Sequence, residues 1–267
     1  MNQALKLPGN PLKEKLARGE VGIAMIVRLV RGIEIAAIAR TAGYDAVYID
    51  MEHNTFSLDA ASQICMACLH AGITPLVRVP NTGPEWVSRV LDGGGLGIIA
   101  PHIETAEEIR HVVKLAKHAP FGERSIGGPS PLFHFQGVPA PQAMAAANAA
   151  TMVVAMIESG TAVNAADAIA AVDGVDMLLV GTNDLCASLG FPGEHDHPQV
   201  REAYRHCIAA CRRHGRTLGI GGLGTRPALA RELVEMGARY VSVGNDLGFL
   251  LSAASAQAKA WERGGKS

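Results

Sequence analysis

The sequence predicts an α/β fold, a TIM (β/α)8 barrel with an extra N-terminal helix, in a chain of 267 residues. The first observation is this length, since one such barrel typically takes roughly 250 residues. The second is a repeating order of apolar strand-like run, loop and amphipathic helix. The third is that several runs are apolar on both faces, as parallel strands covered by helices are. We therefore interpret residues 1–267 as a single barrel domain.

The predicted elements follow one another in a regular order. The first helix, at 10–20, opens with Asn10 and Pro11, a capping residue followed by a proline of the kind that helices accept in their first turn. Apolar runs such as VGIAMIV, YDAVYI and MVVAMIE predict strands at 21–27, 44–49, 74–79, 97–103, 152–158, 175–180, 217–222 and 240–244. Amphipathic patterns predict helices at 32–42, 58–71, 84–91, 105–117, 140–149, 162–171, 199–214, 226–236 and 247–261.

Two further observations bear on the architecture. The competing fold is an open doubly wound sheet, but its GxGxxG fingerprint does not open the helix after the first strand. The connection at 119–138 is long, and a long loop in a compact α/β domain usually forms a lid or a binding segment. The closed barrel is therefore favoured, with a functional role expected for this loop.

Composition narrows the classes of function. The chain is 48% hydrophobic and 18% charged with a net charge of -1, which predicts a large core and no nucleic-acid partner. No apolar run reaches the roughly 18 residues that a membrane span needs, and the N-terminal stretch lacks the apolar core of a signal peptide. The cysteine pairs Cys65/Cys68 and Cys207/Cys211 lie in helical patterns, so we expect reduced, partly buried thiols. These features predict a cytoplasmic protein.

Two carboxylates at predicted strand ends indicate a metal site. Glu158 closes the apolar run MVVAMIE, and Asp184 follows VDMLLV in the segment GTNDL. Neighbouring parallel strands end at the same face of a barrel, and two carboxylates suit a hard cation such as Mg²⁺ or Mn²⁺. The alternative is that Glu158 pairs with a basic residue and Asp184 caps a short helix at 185–189.

A second group of polar residues lies on the strands before it. The run YDAVYI ends in Asp50, Glu52 and His53, and Arg78 lies inside the apolar segment TPLVRVP. His53 is a natural general base near neutral pH. Arg78 is expected to stabilise a carboxylate or a developing oxyanion, since an unpaired arginine in such a strand is costly. A salt bridge from Arg78 to Asp50 or Glu52 is a compatible alternative, and a plain loop position is the alternative for His53.

The remaining histidines give weaker signals. His195 and His197, in FPGEHDHP, are interpreted as side chains of a solvated loop. Five others are interpreted as surface groups on helices or at their ends: His70, His111, His118, His206 and His214. No lysine falls at a predicted strand end, which disfavours a Schiff-base mechanism.

The motifs IDMEH, PLVRVP, IE and GTNDL, in this order, resemble the HpcH/HpaI aldolase family. This family contains metal-dependent class II pyruvate aldolases such as 4-hydroxy-2-oxoheptanedioate aldolase and 2-dehydro-3-deoxyglucarate aldolase. The resemblance extends from NPLKEKLARGE to ARYVSVGNDLGFL and implies reversible retro-aldol cleavage of a 4-hydroxy-2-oxo acid into pyruvate and an aldehyde. It also implies a divalent cation, Mg²⁺ or Mn²⁺ with Co²⁺ as a third candidate, and a homohexamer built as a trimer of dimers. The apolar helix at 247–261 is then expected to pack on a neighbouring subunit.

The resemblance assigns roles residue by residue. Glu158 and Asp184 match the metal ligands, His53 the catalytic base, and Arg78 the arginine that binds the oxo acid. Asp92 matches an aspartate that raises the basicity of that histidine from across a subunit interface. The other implied roles are pyruvate contact for Asn183 and Asp184, proximity to the substrate carboxylate for the loop 122–128, and support of Arg78 or of solvent by Asp50 and Glu52.

This sequence departs from the family pattern at two places. Met156 occupies a substrate-binding position where the family often has glutamine, and the first loop carries Arg28 and Arg31. We expect one of these arginines to select an acidic or hydroxylated acceptor. The competing functions are a citrate-lyase-like or malyl-CoA-like lyase on the same fold and a non-catalytic barrel that binds oxo acids.

Overall fold

Eight parallel strands close into a barrel in chain order, as the sequence predicts. The computed structural model describes residues 9–263, so the ends of the predicted domain, 1–8 and 264–267, lie outside the described residues. The strands are β1 (Gly22–Val27), β2 (Ala46–Asp50), β3 (Thr74–Arg78), β4 (Gly97–Ala100), β5 (Met152–Ile157), β6 (Met177–Gly181), β7 (Thr217–Gly221) and β8 (Tyr240–Asn245). Pairing of β1 with β8 closes the ring, and their register shifts between Ala24 and Ile26.

Helices cover the outside of the barrel, and the first of them covers its amino end. They are α1 (Pro11–Ala17), α2 (Glu34–Thr41), α3 (Leu58–Ala71), α4 (Pro84–Asp92), α5 (Ala106–Ala116), α6 (Ala140–Ala150), α7 (Gly160–Asn164), α8 (Ala166–Ala170), α9 (Thr182–Ser188), α10 (Pro198–Arg213), α11 (Pro227–Met236) and α12 (Asp246–Arg263). The buried side chains of these helices and the outward side chains of the strands form the larger of two apolar cores. Within the described residues, no helix combines the length and the apolar character that crossing a membrane requires.

The predicted N-terminal helix, α1, closes the amino end of the barrel. Asn10 caps it by accepting the backbone N–H of Lys13, and the Asn10 side-chain amide donates to the carbonyl of Ala150 at 2.8 Å. Leu12 and Leu16 are buried in the smaller apolar core, which fills the inside of the barrel. Because this end is closed, the opposite end, where the strands finish, is the one available to a ligand.

Three local predictions were wrong. The fourth strand ends at Ala100 rather than at 103, because His102 adopts the left-handed backbone region with a φ of +54°. The helix predicted at 162–171 is two short helices, α7 and α8, separated at Ala165. The short helix offered as an alternative at 185–189 is α9, which begins at Thr182, so Asp184 lies inside its first turn instead of capping it. All five cysteines are free and buried, as expected for reduced thiols.

Candidate active site

The strand register places Asp50 directly beside Arg78 at the end of β2 and β3. Arg78 donates from Nε to Asp50 Oδ1 at 3.0 Å and from Nη2 to Asp50 Oδ2 at 2.8 Å. Both residues are buried, with exposed fractions of 8% for Arg78 and 1% for Asp50. Burial alone would raise the pKa of Asp50, but the hydrogen bonds and the charge of Arg78 bring it below its ordinary value. The salt bridge that the sequence offered as an alternative is therefore present, and Asp50 holds the arginine in place.

Glu52 links this pair to the next strand. Its Oε2 lies 2.7 Å from Arg78 Nη1, and its Oε1 lies 2.8 Å from Nε2 of His102. The backbone N–H of His102 in turn donates to Oε2 of Glu158 at 2.9 Å. His102 was missed as a site residue because the sequence placed it inside a strand. Only a left-handed backbone after β4 directs both its N–H and its ring toward these two glutamates.

Glu158 is a buried carboxylate, and one of its two oxygens accepts no hydrogen bond from the described residues. Its exposed fraction is 6%, and its Oε1 has no hydrogen-bond partner among the described residues. Burial raises the pKa of the Glu158 carboxyl, the hydrogen bond and charge of His102 oppose the rise, and the charges of Glu52 and Asp184 add to it. The neighbouring Gly181 leaves room for this carboxylate, since a Cβ there would come within 2.8 Å of Oε1.

The donor set of Glu158 and Asp184 fits a hard divalent cation. Asp184 projects from the first turn of α9 and lines the cavity at the barrel mouth. No three His, Cys, Asp or Glu side chains form a metal-holding group within residues 9–263. Two carboxylates, one of them with a buried oxygen lacking a partner, match an ion that takes its other oxygens from water and substrate. They do not match zinc, which prefers imidazole and thiolate ligands.

A cavity of about 740 Å³ opens at the carboxyl ends of the strands. Seven of the residues given a role in the sequence analysis line it: Arg28, Asp50, His53, Arg78, Met156, Asn183 and Asp184. Such a volume lies within the range of small-molecule sites. Most of the predicted site residues therefore face one shared space, whereas Glu52, Asp92 and Glu158 are not among the residues that line it.

His53 lies at the rim of this cavity. Its backbone N–H donates to Asp50 Oδ1 at 3.3 Å, and its Nε2 lies 3.5 Å from Glu52 Oε2. About half of its side chain, 51%, is exposed. The imidazole is therefore accessible to a substrate while its backbone is fixed by the same aspartate that holds Arg78.

Asn183 and His195 form a pair that the sequence did not reveal. His195 Nε2 lies 2.8 Å from Asn183 Oδ1, and His195 also lines the cavity. Its Nδ1 is buried and has no partner among the described residues. His195 lies in a loop as predicted, but its side chain is half-buried and paired with Asn183 rather than solvated. The second loop histidine, His197, instead stacks on Phe191 with ring centroids 3.5 Å apart and accepts the N–H of Gln199 at the start of α10.

Of two further predicted residues, Met156 lines the cavity and Asp92 does not. Met156 lies in the cavity, where its sulfur is 3.9 Å from both Arg78 Nη1 and the Tyr48 hydroxyl. A thioether thus replaces an amide beside the arginine, and it accepts hydrogen bonds only weakly. Asp92 is the last residue of α4 and does not line the cavity of its own chain. It accepts a hydrogen bond from Arg124 Nη2 at 2.7 Å, which connects it to the predicted loop 122–128.

The family model for HpcH/HpaI aldolase/citrate lyase matches residues 31–253. The chain belongs to this family. It is 43% identical over 216 residues, 80% of both chains, to a 4-hydroxy-4-methyl-2-oxoglutarate aldolase from Hapsidospora irregularis. It is 34% identical to a 5-keto-4-deoxy-D-glucarate aldolase from Klebsiella pneumoniae over 254 residues, covering 95% of this chain and 97% of the relative. These relationships make the protein a carbon–carbon lyase of the aldolase type.

Solved structures show the same barrel. An HpcH/HpaI aldolase from Desulfitobacterium hafniense matches with a TM-score of 0.89 and 31% identity, covering 94% of this chain and 96% of that one. The citrate synthase SbnG matches with a TM-score of 0.85 and 30% identity, covering 98% of this chain and all of that one, 100%. Proteins of this fold and similarity thus carry more than one carbon–carbon bond chemistry, so substrate choice depends on the residues of the cavity.

Proposed function

We propose that this HpcH/HpaI family member catalyses reversible retro-aldol cleavage of 4-hydroxy-2-oxo acids to pyruvate, or a related 2-oxo acid, and an aldehyde or other carbonyl fragment. The observation that carries the proposal is the shared cavity lined by His53, Arg78 and Asp184, beside the buried Glu158. The named relatives are aldolases of 4-hydroxy-4-methyl-2-oxoglutarate and of 5-keto-4-deoxy-D-glucarate, which supports this class of substrate.

Glu158 and Asp184 are the proposed ligands of a divalent cation, with Mg²⁺ or Mn²⁺ favoured and Co²⁺ as a third candidate. The support is the donor set, two carboxylates of which Glu158 has one buried oxygen without a partner. When bound, the cation supplies positive charge that polarises the oxo acid. Asn183, next to Asp184, is proposed to contact the pyruvyl part of the substrate, together with Met156 and Arg78.

Arg78 and His53 perform the two tasks that the reaction demands of the protein. Cleavage leaves negative charge on the 2-oxo oxygen, and Arg78 donates to that charge without reorganising because Asp50 and Glu52 already hold its guanidinium. His53 removes the proton of the 4-hydroxyl group, directly or through one water, so that the C3–C4 bond breaks. In the addition direction it removes a proton from C3 of pyruvate.

Asp92 and α12 support an assembly of several subunits. Asp92 is accessible, with 57% of its side chain exposed, and lies away from the cavity of its own chain, so a role beside His53 requires a neighbouring subunit. Along α12, large apolar side chains face solvent in a single chain, among them Leu247, Leu250 and Leu251. We expect them to be covered by a second copy, within a homohexamer arranged as a trimer of dimers. The five free thiols support a cytoplasmic location.

The activity is tested by mixing the purified protein with racemic 4-hydroxy-4-methyl-2-oxoglutarate and measuring pyruvate with lactate dehydrogenase. We expect pyruvate release that stops after chelation and returns with Mg²⁺ or Mn²⁺. Borohydride trapping of pyruvate on a lysine would contradict the proposal. So would cleavage of citryl- or malyl-CoA without cleavage of the oxo acid. Tight oxo-acid binding without turnover would indicate a non-catalytic barrel.

A further inference from the structure

Arg28 follows β1 on a loop whose backbone is held by a buried carboxylate. Its backbone N–H donates to Oδ1 of Asp246 at 2.9 Å, and those of Leu29 and Val30 donate to Oδ2 at 3.0 and 2.7 Å. Asp246 is buried, with 5% of its surface exposed. Three hydrogen bonds to one buried carboxylate hold this segment in a single conformation, so the position from which the Arg28 side chain projects is defined.

The guanidinium of Arg28 has spare hydrogen-bonding capacity. It lines the cavity, 38% of its side chain is exposed, and its Nε lies 3.2 Å from Asp50 Oδ2. No acceptor within the described residues hydrogen-bonds to its two terminal nitrogens. Asp50 already accepts two hydrogen bonds from Arg78, so it orients Arg28 without saturating it. An arginine in this state presents the edge that binds carboxylates in a bidentate manner.

Arg31, three residues later, does not share this role. Its Nη2 donates to the carbonyl of Thr55 at 3.1 Å and to the Thr55 hydroxyl at 2.7 Å, and its guanidinium lies over the ring of Phe56. It is not among the residues that line the cavity. The structure therefore separates two arginines that the sequence left equivalent.

The position of Arg28 in the barrel defines which end of a substrate it reaches. In a closed eight-stranded barrel β1 lies opposite β5, the strand that leads into Glu158. A substrate that spans the cavity with its oxo-acid end beside Glu158 and Asp184 brings its other end to the β1 side, where Arg28 lies next to Asp50. On that side Asn245 of β8 and Ser252 of α12 line the cavity together with the apolar Ile26 and Phe249, so Arg28 supplies the positive charge of this wall.

We propose that Arg28 binds a carboxylate on the fragment released from C4, so that the preferred substrates are 4-hydroxy-2-oxo acids with a second carboxylate. This inference rests on the proposed aldolase function. Neutral acceptor aldehydes lack the group that Arg28 pairs with and leave its terminal nitrogens to water. Charged hydrogen bonds of this kind correspond to about 10- to 100-fold in kcat/KM.

The test compares acceptors in the addition direction with pyruvate as donor and Mn²⁺ present. Succinic semialdehyde provides the carboxylate, and butanal is a neutral aldehyde of the same carbon number. In Arg28→Gln we expect kcat/KM for succinic semialdehyde to fall about 10- to 100-fold and that for butanal to stay within about threefold. Arg28→Lys should retain part of the preference, because lysine keeps the charge but not the bidentate edge. Arg31→Gln is the matched control and should keep the wild-type ratio.

Each other outcome has a definite meaning. Equal losses for both acceptors in Arg28→Gln, with an unchanged melting temperature, would overturn the assignment while leaving the aldolase function intact. An unchanged ratio of kcat/KM between succinic semialdehyde and butanal in Arg28→Gln would also overturn the assignment. If the wild-type protein forms no aldol product with either acceptor and releases no pyruvate from an oxo-acid substrate, the proposed function itself fails and the assignment fails with it.

Discussion

Arg78 and Asp50 are joined by two hydrogen bonds at the ends of adjacent strands, and both are almost wholly buried. Asp50 also accepts the backbone N–H groups of Glu52 and His53. One carboxylate therefore fixes the arginine, the glutamate beside it and the proposed base in a single arrangement. This relationship explains why three ionisable groups can end a buried strand: each is paired with another or reaches the cavity.

Replacing Asp50 with Ala should damage both stability and activity. Removing one partner of a buried ion pair costs about 3–5 kcal/mol, because Arg78 would remain buried with only Glu52 beside it. We expect the free energy of unfolding in urea to fall by that amount and kcat/KM to fall by at least about 100-fold. Glu202→Gln, which breaks an exposed pair with Arg205, is the control and should change neither quantity. A stable, fully active Asp50→Ala protein would contradict this relationship.

His102→Ala should weaken binding of the cation. Its backbone N–H and ring hold Glu158 and Glu52, and partners of metal ligands typically contribute 10- to 100-fold in affinity. Loss of the ring frees Glu52, and alanine is less readily held in the left-handed region. We expect the Kd for Mn²⁺, measured by electron paramagnetic resonance, to rise about 10-fold or more. His206→Ala, on an exposed face of α10, should leave it unchanged. Equal Kd values for all three proteins would rule out this role.

Asn183 should depend on His195 for its orientation. The carbonyl oxygen of Asn183 can only accept, so His195 Nε2 must donate the hydrogen bond between them. His195→Ala should raise KM for the oxo acid about 10-fold with a smaller change in kcat. His195→Gln supplies an N–H donor and should recover part of the loss. A fall confined to kcat, or no recovery with glutamine, would show that Asn183 is positioned by other contacts.

The cysteine thiols should be inert in the folded protein. Burial raises the pKa of Cys68, Cys207 and Cys211 to about 12, and the pKa of Cys65 and Cys186 also rises with burial. At pH 8 such groups are protonated, and the thiolate is the reactive form. Ellman's reagent should therefore label essentially none of the five thiols before unfolding and all of them in urea. Rapid labelling of the native protein would show that these helices open readily.

The barrel could be predicted because the patterns that indicate its strands and helices are periodic and lie within short stretches of sequence. Apolar runs, helical patterns and the cap at Asn10 identify the elements, and strand ends identify His53, Arg78 and Glu158 as neighbours. Contacts that depend on backbone turns or on distant loops were not predictable. The contacts of His102 depend on the left-handed backbone conformation that this residue adopts after β4. The contact of His195 with Asn183, twelve residues earlier, depends on a loop that folds back over α9. The sequence of that loop indicates only a solvated segment.

The role of Asp92 had the weakest local signal. From the sequence it is only the end of a helix, and the structure places it there, paired with Arg124. In the proposed assembly its partner would be His53 of a neighbouring subunit, a contact that no pattern within one chain can indicate. Analytical ultracentrifugation of the wild-type protein should show a species larger than a monomer. Asp92→Asn should lower kcat while keeping that size, and a fully active monomer would contradict the role.

Binding of Mn²⁺ at Glu158 and Asp184, measured by isothermal titration calorimetry alongside pyruvate release, tests the central proposal most directly. Wild-type protein stripped of metal should bind Mn²⁺ and regain cleavage of 4-hydroxy-4-methyl-2-oxoglutarate. Glu158→Gln should lose both, while Glu202→Gln, a change at an exposed carboxylate on α10, should lose neither. Full activity in chelated wild-type protein, or unchanged Mn²⁺ binding and cleavage in Glu158→Gln, would contradict it.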